Sequence, residues 1–382
     1  MSYPSSSNSP AGSQGTLTPL GTQGTGDRLR VGFITHLDQH DDLSTIFADN
    51  IRLIRELERQ GYDSAWIATR HFNAGWAALP SPFAFLGAAA AVTDRIDLGT
   101  AVLPLVLDDP VRVAEEVSVI DHFSGGRLLL GVGKGVPSDS FHVFEGWDSD
   151  RDRSFTEKID RLHWALEGNQ VEGGSASVWP PDRNLGGRIF HGSSNIGTIR
   201  NAARRGDGLI LERFGNGEER TPENRRAFHR RQADSVTEYR RVFAETWGDS
   251  RTPYVITSRS VFDGPTSEDA LKDFSERTAR WHAQDVRVGR ALESQTPAEK
   301  LLGDNAVWGT VDELAADLLS DPTLALSDEL VLGIHPAEHT VDEAVAHAGV
   351  LLDEVVPLVR EGWAEQRREL GLAAPVATGG RA

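Results

Sequence analysis

Lys134 stands inside Gly131-Val132-Gly133-Lys134-Gly135, where alternating glycines let a ligand approach the backbone and one ammonium supplies charge. Arg153 follows at the expected start of a helix, and Ser193, Ser194 and Thr198 surround the start of another. Two cations, several hydroxyls and helix-start N–H groups together satisfy a phosphate dianion. Each has a plainer reading alone: the glycines as a turn, Arg153 as a surface residue among Asp150 and Asp152, Ser194 as a helix cap. Their coincidence at adjacent strand ends favours a phosphate pocket. A second group is Thr69-Arg70-His71-Phe72, in which His71 can act as acid, base or hydrogen-bond donor unless a carboxylate such as Asp63 or Glu116 merely satisfies it. His36, His40 and His142 are weaker candidates from loops that face the same way. Trp76, Trp147 and Trp308 can line a pocket, although packing is the better reading for each.

Other chemistries are excluded by what is missing. The chain has no cysteine, which removes thiolate nucleophiles, disulfides and cysteine-held metals together. No spacing of histidines and acids resembles a zinc or iron site, and no two successive strand ends carry the paired carboxylates of a glycosidase. A net charge of −18 in 382 residues argues against nucleic acid or an anionic membrane as partner.

These groups need a frame that gathers strand ends. Residues 96–135 read as strand, helix, strand: an apolar β-rich run, a helix opened by Pro110 and stopped at Gly125-Gly126, and an unbroken apolar strand of the kind buried on both faces. Strands are expected at 30–35, 64–68, 96–103, 127–132, 188–191, 207–211, 254–262 and 330–334. Helices are expected at 43–60, 81–93, 110–123, 153–166, 197–205, 223–248, 267–281 and 341–359. Eight strands alternating with helices predict an α/β protein, a (β/α)8 TIM barrel formed as one domain by residues 28–371. A doubly wound sheet is disfavoured, because its glycine fingerprint belongs after the first strand, where this chain reads Thr35-His36-Leu37-Asp38. The segment 263–328 between the seventh and eighth strands is longer than a barrel connection requires, so it reads as an insertion, with a mobile lid at 286–305.

The first 27 residues are Ser, Gly, Pro and Thr with few apolar groups and read as a disordered tail; residues 372–382 read as a second. Neither a signal peptide nor a membrane-length apolar run is present, so a soluble, cytoplasmic protein is expected.

Four segments resemble the bacterial luciferase-like flavin monooxygenases: AWIATRHF at 65–72, DLGTAVLP at 97–104, PVRVAEEVSVIDHFSGGRLLLGVGKG at 110–135 and SSNIGTIRNAARRGDGLIL at 193–211. The resemblance spans about residues 29–360 and implies a barrel using reduced FMN or the deazaflavin F420. It places Lys134 and Arg153 at basic phosphate-binding positions and Ser193, Ser194 and Thr198 among the polar groups of that pocket. It also places Ala101 and Val102 beneath the flavin ring, at a bond that is cis in several members. Luciferases read Glu-His-His-Phe where this chain has Thr69-Arg70-His71-Phe72, so their catalytic histidine matches Arg70, which speaks against light emission. Arg70 is then a cation for an anionic oxygen or substrate, and His71 the proton carrier. The implied activity is oxidation of a small organic substrate by dioxygen, with reduced FMN supplied by a separate flavin reductase because no dinucleotide fingerprint is present. The alternatives are an F420-dependent dehydrogenase and a flavin-binding barrel without catalysis. The Ala-rich helix at 82–93, with the helix after it, implies a homodimer of the kind this family forms.

Overall fold

The computed structural model describes residues 28–37, 44–72, 79–135, 139–144, 150–170, 174–213, 221–287, 293–335, 337 and 339–372. The expected tail at 1–27 and, apart from Leu372, the one at 372–382 lie outside these, as does part of the expected lid, 288–292. The first half of the chain forms β1 (Arg30–Thr35), α1 (Ile46–Gln60), β2 (Ser64–Ile67), α2 (Pro82–Ala90), β3 (Asp97–Thr100), β4 (Leu103–Pro104), α3 (Pro110–Ser124), β5 (Leu128–Gly133), α4 (Asp139–Val143) and α5 (Arg151–Leu166). The second half forms β6 (Ile189–Gly192), α6 (Ile196–Arg205), β7 (Gly208–Ile210), α7 (Pro222–Trp247), β8 (Val255–Asp263), α8 (Ser267–Arg287), α9 (Pro297–Gly303), β9 (Val307–Gly309), α10 (Val311–Ser320), α11 (Pro322–Ala325), β10 (Glu329–Gly333), α12 (Val341–Val350) and α13 (Val356–Glu369).

Every strand pairing is parallel, and the order β1-β2-β3-β5-β6-β7-β8-β10 closes on itself because β10 pairs with both β8 and β1. The expected (β/α)8 barrel is present. Local signals set its turns: Asp109 caps α3 by accepting from the N–H groups of Val111 and Arg112, Pro110 opens the helix, and Gly125 at φ 72° ends it. No helix among the described residues is long and apolar enough to cross a membrane.

Inside the barrel, Ile34, Trp66, Leu129, Phe190, Ile210, Ile256 and Val331 form one buried cluster. Trp66 and Phe190 meet edge to face, centroids 5.8 Å apart. Space for them comes from glycine: a Cβ on Gly99 would lie 2.3 Å from Trp66, and one on Gly208 the same distance from Phe190. Beneath this layer the buried Glu329 accepts from Trp66 Nε1 at 2.9 Å and from the Tyr254 hydroxyl at 2.7 Å, while Arg30 pairs with Asp97 at 2.6 Å. Burial pushes the Asp97 carboxyl up to about 6 against the pull of Arg30. This polar base lies at the strands' N-terminal ends, the end that serves stability in such barrels.

Three expectations change. The third strand divides into β3 and β4, because the chain kinks at Ala101–Val102. The insertion before the last strand holds more than the one helix expected at 267–281: besides α8 it carries β9, which extends the sheet beside β8, and three further helices. The closing helix splits around a π-turn at Leu351–Val355, just before Pro357.

Arg188 and Asp121 tie the α3–β5 corner to the start of β6. Both are buried, joined by bonds of 2.6 and 2.7 Å, and Arg188 also donates to the carbonyls of Gly126 and Leu128. Asp121→Ala leaves a guanidinium buried without its counter-charge, which costs about 3–5 kcal/mol. Urea unfolding should show a loss of that size.

Candidate active site

The strand exits surround a mouth with two unlike halves. On one side Thr100 donates to the Gly131 carbonyl at 2.7 Å, and the peptide bond that follows, Ala101–Val102, is cis. Ala101 and Val102 rest on the inner cluster. Val102 fills volume that its neighbours leave open: a Cβ on Gly133 would lie 2.8 Å from Val102 Cγ2, and one on Gly192 would lie 2.7 Å from Val102 Cγ1. On Gly131 it would lie 2.0 Å from the Thr100 carbonyl oxygen. Gly131 and Gly133 are thus demanded by the adjacent strand's exit, which corrects the reading of that run as an opening for phosphate. Gly135, at φ 67°, supplies the turn.

Lys134 and Ser193-Ser194 follow neighbouring strands, β5 and β6, with Val132 opposite His191, and Thr198 lies in the first turn of α6. Lys134 is mostly buried and paired with Asp152. Ser193 accepts from the N–H of Asn195 at 3.0 Å, and the Ser194 hydroxyl donates to Glu212, whose carboxyl burial pushes up. The cap of α6 is Asn195, accepting from the N–H of Thr198 at 3.1 Å, not Ser194. Arg153 does not join them. Its side chain is 76% exposed and pairs with Glu157 at 2.8 Å. α5 begins two residues earlier than expected, so Arg151 takes the inner face: it donates to the Gly135 carbonyl at 3.1 Å and lies over Phe141. Positions two apart point about 200° apart around a helix, which turns Arg153 outward.

The other half is built of imidazoles and cations. His36 at the end of β1 stacks on His335 at the end of β10, centroids 3.9 Å apart and planes 13° from parallel. Arg213, after β7, donates to His36 Nε2 at 3.0 Å. An accepting Nε2 puts the ring proton on Nδ1, and Nδ1 is buried without a partner. Burial, then the charges of His335, Arg213, Arg70 and His339, hold His36 well below the ordinary histidine pKa. His71 is half-buried, its Nε2 also lacks a partner, and its ring edge meets Phe144 with centroids 5.0 Å apart. Burial lowers its pKa, partly opposed by Asp108. That carboxylate, rather than Asp63 or Glu116, is the one facing it; Asp63 is taken by Arg28 and Glu116 by Arg112.

Arg259, on β8, is fully buried behind the barrel, bonded to Asp321 at 2.9 Å and to Gln232 at 2.9 Å. Strand alternation explains this, since Ile256 points inward and position 259 therefore outward. His335 and Arg213 escaped notice in the sequence, although both sit just past strands. His142 is exposed on α4, Trp308 packs on the outer core, and His40, Trp76 and Trp147 lie outside the described residues. Among the described residues no cluster of three His, Asp or Glu could hold a metal.

The luciferase-like monooxygenase family pattern matches residues 29–324. The chain belongs to this family. One relative, the 4-hydroxyprotoasukamycin monooxygenase of Streptomyces nodosus subsp. asukaensis, is 39% identical over 123 residues, 32% of each chain. The matched segment therefore spans about a third of that relative. The oxygenating constituent of 3,6-diketocamphane monooxygenase from Pseudomonas putida, a type II Baeyer–Villiger monooxygenase solved with FMN, aligns with TM-score 0.64 at 16% identity, covering 86% of this chain and 98% of that one. An F420-dependent secondary alcohol dehydrogenase aligns with TM-score 0.63 at 16% identity, covering 87% and 99%. At these identities the structures share the fold.

A neutral buried His36 makes stability depend on pH. Below the ordinary histidine pKa of about 6.5 the unfolded chain binds a proton that folded His36 refuses, so stability falls with acid. Between neutral pH and pH 5 the melting temperature of wild type should drop more steeply than that of His36→Gln; parallel slopes would contradict a neutral His36.

Proposed function

We propose that this chain is a flavin-dependent monooxygenase that oxidises a small organic substrate with dioxygen, using reduced FMN from a separate reductase. The observation that carries this reading is the apolar floor made by Ala101 and Val102, packed on the inner cluster, beside Lys134 and the start of α6. An aromatic ring system suits an apolar floor, and a phosphate suits the ammonium, hydroxyls and helix start next to it. The residues present are suited to the group. When bound, the reduced flavin supplies the electrons that activate oxygen.

The protein's own part is binding and proton handling. Lys134, Ser193, Ser194 and Thr198 hold the phosphate, with Lys134 exchanging Asp152 for it. Of the two basic positions implied by the resemblance, Arg153 contributes only by turning inward, whereas Arg151 already lies against the same loop. Arg70 adds positive charge to the opposite wall. His71 Nε2, buried and unpartnered, is the group placed to give or take a proton. The rings of His71 and Phe144 close part of the rim against water.

Fluorescence titration with FMN and with F420 tests this. FMN should bind, and Lys134→Ala should raise its Kd about ten-fold or more, the worth of a charge-assisted phosphate contact. Unchanged affinity in a folded Lys134→Ala protein removes the phosphate assignment, and tight binding of F420 alone turns the reading to hydride transfer.

A homodimer belongs to the same proposal. Val119 and Phe123, one turn apart on α3, are 53% and 61% exposed, and Val92 stands open just past α2, which packs on α3. In sedimentation equilibrium, wild type should be dimeric and Val119→Asp/Phe123→Asp monomeric.

A further inference from the structure

We propose that the polar half of the mouth is a subsite for the anionic oxygens of an organic acid, so that the substrate carries a carboxylate. This rests on the flavin reading for what lies on the floor beside it, but its argument comes from other residues.

The first element is a buried donor with nothing to receive its proton. His36 is 7% exposed, and its Nε2 is committed as acceptor to Arg213, so its Nδ1–H must donate; among the described residues no acceptor is in reach. Folded proteins rarely bury a donor in that state, and a ligand at such a site supplies what is missing. Ser258 repeats the pattern. It occupies the inward position above Ile256 on β8, is 7% exposed, and its hydroxyl has no partner. The strand between β8 and β1 is β10, and its exit carries His335 stacked against His36.

The second element is the sign of the charges. Among the described residues the groups acting on His36 are His335, Arg213, Arg70 and His339, all bases. Among the described residues, Asp152 faces Lys134, Glu212 faces Ser194 and Asp108 faces His71. One acceptor nearby, the His335 carbonyl, already receives the Ser260 hydroxyl at 2.7 Å. A neutral alcohol or amide would need acceptors for its own hydrogens. A carboxylate needs only donors, and donors near positive charge are what this wall presents. The cofactor's phosphate does not answer the need, because its proposed pocket lies across the floor at β5 and β6.

Calorimetric titration with benzoate and with its neutral isostere benzamide, on FMN-loaded and FMN-free protein, tests the assignment. Wild type should bind benzoate about ten-fold or more tighter than benzamide, the discrimination of one charge-assisted contact. His36→Phe keeps the stacked ring and removes the donor; it should abolish that preference while FMN affinity stays unchanged. Ser258→Ala, a smaller change that keeps the fold safe, should reduce it. Equal affinity for the two probes, a preference that survives both substitutions, or competition of benzoate against FMN would overturn the subsite. Benzoate preference in a protein that fails to bind FMN would overturn the flavin reading and leave the subsite standing.

Discussion

Volume exchange inside a closed barrel governs this molecule. Each inward position of a parallel barrel is shared among neighbouring strands, so a large side chain on one strand requires a small one beside it. Trp66 is matched by Gly99, Phe190 by Gly208, and Val102 by Gly133 and Gly192. The two aromatics plug the interior, and the plug carries Ala101 and Val102 at the height of the mouth. Replacing any of these glycines would push a backbone or a ring aside, and the floor of the site would move with it.

Charge is distributed by the same geometry. The chain carries −18 overall, yet the bases gather along the mouth and the best-buried acids lie at the opposite end or behind the strands. Glu329 and Asp97 at the base are held by Arg30, Tyr254 and Trp66, and Asp321 behind β8 by Arg259. Among the described residues, these acids are committed to structure rather than to the strand exits.

The two halves of the mouth divide the work between shape and charge. The glycine half lets Val102 settle among its neighbours beside Lys134; the imidazole half holds a His36 ring whose tautomer a neighbouring guanidinium sets. The insertion carrying β9 adds its strand to β8, the same strand that supplies Ser258 to the mouth.

Hydrophobic period and turn chemistry determined the architecture from the sequence alone, because both are local: apolar runs four to nine residues long, Pro110 and Gly125 at helix ends, and eight alternations that only a closed barrel accommodates. The same locality made Lys134, Ser193, Ser194, Thr198 and His71 legible, since each directly follows a strand or opens a helix. Tertiary structure alone decided which way those residues face. Starting α5 two residues early exchanged Arg153 for Arg151, strand alternation sent Arg259 behind the barrel, and Gly131 and Gly133 turned out to make room for a neighbouring strand's carbonyl and side chain. The His36, Arg213 and His335 cluster joins residues up to 299 positions apart, contributed by the first, sixth and eighth barrel strands. Only barrel closure gathers the exits of those strands at one mouth, and no window of sequence contains that contact.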